Sequence, residues 1–131
     1  MKKLTCIAID DEPIALLIIS QFCERKGGLE LTTFSEPLTG LKEIARCKPD
    51  LVFLDIELEG ELTGLEVAQI LQNQLPDIIL IFISGYTKYI TSALHLHTFQ
   101  FLLKPLDAQL FQEEFRRCVA QYRSARDIFQ I

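Results

Sequence analysis

The sequence predicts an α/β domain, a doubly wound sheet of five parallel strands in the order 2-1-3-4-5, and three observations carry that prediction. Short apolar or β-branched runs alternate with helical stripes along all 131 residues, as strand-helix repeats with right-handed crossovers do. The first, third and fourth runs are apolar on both faces, as central parallel strands are. Acids also close the first and third runs, Asp10 and Asp11 after Cys6-Ile7-Ala8-Ile9 and Asp55 after Leu51-Val52-Phe53-Leu54. In such a sheet those two strands flank the topological switch point, where ligands bind.

Taken in order, the strands are Leu4 to Ile9, Leu29 to Phe34, Leu51 to Leu54, Ile78 to Ser84 and Phe99 to Leu103. Ile14, Leu17, Ile18 and Phe22 share one face of a first helix, which Pro13 suits as its first residue. Leu41, Ile44 and Ala45 mark a second helix, and Leu65, Ala68, Leu71 and Gln72, with Val67 and Leu75, a third. Residues 87–96 form a weaker fourth, because Ile90 and Thr91 are β-branched. Phe111, Phe115, Cys118, Val119 and Tyr122 form the clearest stripe, on the fifth.

With 49% hydrophobic and 24% charged residues, the chain reads as one globular domain over residues 1–131. A formal charge of -5 argues against direct nucleic-acid binding. No apolar run reaches membrane-spanning length, and Lys2 and Lys3 precede too short a run for a signal peptide, so a cytoplasmic protein is expected. Cys6, Cys23, Cys47 and Cys118 lack paired metal spacing and read as buried reduced thiols. His95 and His97 have no third metal-ligand candidate at suitable spacing and read as structural or surface residues.

Acids near a helix N-terminus favour its dipole, which accounts for Asp10, Asp11 and Glu12. It does not account for Asp55, which ends an apolar strand. Three carboxylates gathered in one crevice repel, by about 3 kcal/mol per pair at ~5 Å and an effective dielectric near 20. A hard divalent cation such as Mg²⁺ is the natural counter-charge, held by Asp10, Asp11 and Asp55. Ser84 ends the fourth run before Gly85, offering a hydroxyl beside a gap that would fit a phosphoryl group. Lys104 ends the fifth before Pro105, where an ammonium offsets the carboxylates and a cis bond suits the turn. Each is a weak signal alone; together they place an acid pair, an acid, a hydroxyl and a lysine at the ends of strands one, three, four and five.

This constellation resembles the receiver domain of two-component response regulators, a flavodoxin-like fold, over essentially the whole chain. The resemblance implies that Asp55 is phosphorylated by a sensor histidine kinase. It implies that Asp11, Asp55 and the backbone carbonyl of Glu57 bind Mg²⁺, with Asp10 acting through a metal-bound water. Ser84 and Lys104 would sense the phosphoryl group, and Phe101 would swing inward as Ser84 moves, switching the face of the fourth helix, fifth strand and fifth helix. Such a protein is a phosphoacceptor switch rather than a turnover enzyme, although it assists its own phosphorylation and its slow hydrolysis. Ser84-Gly85-Tyr86-Thr87-Lys88-Tyr89 and Phe99-Gln100-Phe101-Leu102-Leu103-Lys104-Pro105 look most like receivers of the LytTR class, which implies a transcriptional output through a DNA-binding domain outside these residues.

The loop after Asp55 departs from the family pattern: it lacks the usual proline and reaches Gly64 one residue late. Its Glu57, Glu59 and Glu61 read most simply as a solvated face, or else as a filter on phosphoryl donors. On the switch face, Lys88, Arg116, Arg117 and Arg123 stand with Asp107, Glu113 and Glu114. They either pair across the two-fold axis of a homodimer or merely solvate exposed helices. Asp55 with Glu57 also resembles haloacid-dehalogenase phosphatases, but Glu57 is a poor general acid and there is no room for a cap. A flavin-mononucleotide module would find its phosphate repelled by Asp10-Asp11-Glu12. A binding module that has lost phosphorylation is the remaining rival, and it would be expected to have lost pocket residues.

Overall fold

The computed structural model describes residues 3–58, 60, 62–91 and 100–129, with side chains described to residue 120. Its elements are β1 (Leu4–Ile9), α1 (Pro13–Lys26), β2 (Leu29–Phe34), α2 (Pro37–Cys47), β3 (Leu51–Asp55), α3 (Gly64–Gln74), β4 (Ile79–Ser84), a 3-10 turn (Thr87–Tyr89), β5 (Gln100–Leu103) and α4 (Ala108–Phe129), the expected fifth helix. The strands form one parallel sheet in the order β2-β1-β3-β4-β5, as the sequence predicts. Phe99, His95, His97 and the second half of the expected fourth helix, residues 92–96, lie outside the described residues.

Strand alternation splits the core into two layers. On one face Cys6, Ala8, Leu51, Phe53, Ile81 and Ile83 pack under α1 and α4 through Ile19, Phe22, Phe111 and Phe115. Phe53 stacks on Phe111 with ring centroids 5.4 Å apart, a geometry that adds to the burial of both rings. On the other face Ile7, Ile9, Val52, Leu54, Leu80 and Phe82 pack under α2 and α3 through Ile44, Val67, Ala68 and Leu71.

Helix starts follow local chemistry. Pro13 and Pro37 open α1 and α2, where a missing N–H costs nothing. Thr63 caps α3: its side chain accepts from the Glu66 N–H while Glu66 accepts from the Thr63 N–H. Two predicted faces need correction. The buried stripe of α1 is Ala15, Ile19, Phe22 and Cys23, with Ile18 partly buried, whereas Ile14 and Leu17 are exposed. Six apolar residues in a row, Ile14 to Ile19, let two faces fit the pattern equally. Ala45 on α2 is exposed, and Gly40 takes its place against Ile9. Cys47 is also exposed, while Cys6, Cys23 and Cys118 are buried and free as expected.

Register positions the site. Ile9 lies opposite Leu54, so the next residues, Asp10 and Asp55, leave neighbouring strands at the same level. Asp55 lies opposite Ile83, and Ser84 opposite Leu103, so Ser84 and Lys104 each step one residue further along the same edge.

Candidate functional site

Asp10, Asp55 and Ser84 are the only buried polar or charged residues among those described. A carboxylate at such a position persists only when its oxygens are held. Asp10 Oδ1 accepts from the Glu12 N–H at 2.9 Å, and Asp55 Oδ1 from the Glu57 N–H, also at 2.9 Å. Each strand thus ends in the same turn, in which an aspartate takes the amide two residues on and aims its second oxygen into the crevice.

Those second oxygens face Lys104. Its ammonium lies 3.0 Å from Asp10 Oδ2, 3.6 Å from Asp55 Oδ2 and 2.7 Å from Glu12 Oε1. The contact with Asp10 is an ion pair without hydrogen-bond geometry, so buried Asp10 Oδ2 has no hydrogen-bond partner. Burial pushes the Asp55 carboxyl up to about 7; the Glu57 N–H opposes this, the Asp10 charge adds to it, and the Lys104 charge opposes it. For Lys104, burial works against the charge, but the hydrogen bond to Glu12 and the nearby charges of Asp10 and Asp55 outweigh it and hold the ammonium above its usual range. The Lys104–Pro105 peptide bond is cis.

Carboxylate oxygens of Asp10, Asp11, Glu12 and Asp55 all lie within 4.8 Å of one another. They are hard donors of the kind Mg²⁺ takes, and Asp10 Oδ2 is a buried oxygen lacking a hydrogen bond, so the residues fit the ion. Glu12 belongs to this cluster although sequence reasoning did not count it. The signal was present in three successive acids, but Glu12 stands at the helix cap, where a capping role accounts for an acid. Its side chain makes no cap hydrogen bond and reaches Lys104 instead.

Glu57 departs from its expected place. Its side chain is not on a solvated face but turned inward, with Oε1 2.5 Å from the Ser84 hydroxyl and 2.6 Å from the Gly85 N–H, both donating to it. The Tyr86 N–H in turn donates to Ser84 Oγ at 3.0 Å. Glu59 and Glu61 lie outside the described residues. Beside Glu57 opens a cleft of about 450 Å³, lined by Glu12, Ile14, Tyr86, Lys104 and Leu106 among others. Phe101 is partly buried against the α2 and α3 layer.

On the expected switch face, Arg117 pairs within α4 with Glu114, which also accepts from Gln100. Asp107 caps α4 by accepting from the Leu110 N–H, and Lys88 lies 5.1 Å from the Tyr86 and Tyr89 ring centroids. These charges are therefore engaged within the chain. The Arg123 side chain is outside the described set.

The family model of the response regulator receiver domain matches residues 6–116. The chain is 30% identical to an uncharacterized response regulatory protein of Vibrio cholerae over 93% of its own length and 51% of that protein's. It is 28% identical to the transcriptional regulatory protein BtsR of Escherichia coli, over 93% of this chain and 50% of that one. It thus spans about half the length of these relatives. Among solved structures, NtrX from Brucella abortus superposes with a TM-score of 0.89 at 26% identity, covering 96% of this chain and 29% of that one.

Proposed function

Because this chain belongs to the response regulator receiver domain family of two-component signalling, we propose that it accepts a phosphoryl group on Asp55 from the histidine of a sensor kinase. The observation that carries the reading is the environment of Asp55. It is a buried carboxylate with one oxygen fixed by the Glu57 N–H and the other 3.6 Å from the Lys104 ammonium. An Asp55 oxygen forms the bond to phosphorus while the donor's phosphorus–nitrogen bond breaks, and the imidazole leaves with that electron pair. Lys104, and the Ser84 hydroxyl once it leaves Glu57, would meet the charge that arrives on the phosphoryl oxygens.

Mg²⁺ would be held by Asp11, Asp55 and the Glu57 carbonyl, with Asp10 beside them in the carboxylate cluster. When bound, it supplies positive charge against the transferring oxygens. Ser84 and Phe101 are the residues we assign to the switch, and the readout face we propose is the expected one of the fourth helix, β5 and α4, with a homodimer formed through it. The whole described chain acts as one receiver unit, a switch rather than a turnover enzyme, with slow self-dephosphorylation. A transcriptional output is supported by the likeness to BtsR, named a transcriptional regulatory protein, and the LytTR class by the stretches Ser84-Gly85-Tyr86 and Phe101-Leu102-Leu103-Lys104-Pro105. No described helix is long and apolar enough to cross a membrane.

Incubation with acetyl phosphate and Mg²⁺ tests the assignment. One phosphoryl adduct is expected by intact-protein mass spectrometry, absent in Asp55→Asn and with chelator. Equal adduct on Asp55→Asn would overturn it.

A further inference from the structure

Two donors at the end of β4, the Ser84 hydroxyl and the Gly85 N–H, converge on a single acceptor, Glu57 Oε1, at 2.5 and 2.6 Å. Converging donors of this kind hold an anionic oxygen, and hydrogen bonds to an ionised acceptor are short and stronger than neutral ones. Glu57 follows Asp55 by two residues, and its own N–H is bonded to Asp55 Oδ1. The side chain that fills the donors therefore grows from the turn that fixes the acceptor carboxylate. Gly85 has no side chain, and a Cβ built there would meet only Glu57 Oε1, at 3.6 Å. The gap expected beside the pocket is thus filled by a carboxylate.

We propose that Glu57 is an internal anionic ligand of the phosphoryl pocket, holding the Ser84 and Gly85 donors until a phosphoryl oxygen displaces it. This rests on the phosphoacceptor reading above and adds a residue that sets how easily the pocket fills. The open cleft lined by Tyr86, Lys104 and Leu106 borders Glu57 and gives the displaced side chain somewhere to go. A receiver so plugged should accept a phosphoryl group from a small donor more slowly than one whose donors stand free.

Beryllofluoride with Mg²⁺, a mimic of the phosphoryl group, should bind Glu57→Ala about tenfold more tightly than the parent, since a charge-assisted contact no longer has to be broken. Adduct formation from acetyl phosphate should rise by a similar factor. Without any ligand, the Gly85 amide should exchange with solvent at least tenfold faster in Glu57→Ala. Glu57→Gln keeps the acceptor without the charge and should fall between. Equal beryllofluoride affinity with unchanged Gly85 exchange would overturn the proposal. So would a Glu57→Gln as tight as Glu57→Ala, because simple charge repulsion would then suffice. If neither parent nor variant forms an adduct, the phosphoacceptor reading fails instead, while Gly85 exchange still decides whether Glu57 holds the donors.

Discussion

Lys104 Nζ lies 2.7 Å from Glu12 Oε1, joining residues 92 positions apart. The pair straps the end of β5 to the start of α1 and parks the ammonium over Asp10 and Asp55. Among the described residues one cation thus serves a cluster of four carboxylates, Asp10, Asp11, Glu12 and Asp55. Without a divalent ion the pocket carries an excess of like charge, and the fold tolerates this because two aspartates each keep one oxygen bonded to a backbone N–H.

Asp55→Asn should therefore stabilise the chain in the presence of chelator. The substitution keeps an Oδ1 acceptor for the Glu57 N–H and removes a buried charge that repels Asp10. It also weakens a Lys104 contact, but that ammonium retains Asp10 and Glu12. The net gain should be about 1–2 kcal/mol by urea unfolding near neutral pH. A lower midpoint for the variant would show that the Lys104 contact outweighs burial and repulsion.

Mg²⁺ should stabilise the parent and not a variant short of a ligand. Asp11 is exposed, so Asp11→Ala removes a metal ligand without opening the core. At a hundredfold excess over Kd the parent should gain about 2.7 kcal/mol. Asp11→Ala should gain little at the same concentration and should match the parent in chelator. Isothermal titration with Mg²⁺ provides an independent reading, and equal affinities would remove Asp11 from the ligand set.

The sheet was legible because strands apolar on both faces admit little but a parallel centre, and because Asp10, Asp55, Ser84 and Lys104 are tied to strand ends that register alone aligns. The buried face of α1 was not, since Ile14 to Ile19 leave no polar residue to mark the outside. The α1 surface is decided by what packs on it, chiefly Phe111 at 5.0 Å from Phe22 between ring centroids. Glu57 escaped for another reason. Its partner Ser84 is 27 positions away, and in an acidic loop an inward-turned carboxylate carries no local mark.

Gly64 opens α3 under the end of β3, where a Cβ would come within 2.2 Å of the Asp55 carbonyl oxygen and 2.6 Å of Ile56 Cα. Backbone atoms cannot yield as a side chain can. Gly64→Ala should cost about 1–3 kcal/mol and disturb Asp55. Gly40→Ala is the comparison, because its Cβ would meet Ile9 Cδ1 at 2.5 Å and Cγ1 at 2.8 Å, side-chain atoms rather than backbone. Alanine also favours a helix interior by ~1 kcal/mol over glycine, which offsets part of that clash, so this variant should lose less than Gly64→Ala. Equal losses at both sites, measured by urea unfolding, would mean that β3 can shift away from α3.

The cysteines predict a pH dependence of stability. Burial pushes the thiols of Cys6, Cys23 and Cys118 from an ordinary 9.0 up to about 12, with Cys23 and Asp50 adding to the shift at Cys6. Below pH 9 these thiols are neutral in both folded and unfolded chains, and their contribution to stability is fully present. Between 9 and about 12 the unfolded chain ionises them while the folded one does not, so unfolding is progressively favoured. The urea midpoint should fall through that window, and less steeply in Cys23→Ala, where one raised thiol is gone. At pH 8 iodoacetamide should label Cys47, which is exposed, and reach the other three only in urea. Rapid labelling of Cys118 in the folded chain would show that α4 opens from the sheet far more readily than its contacts with Phe53 imply.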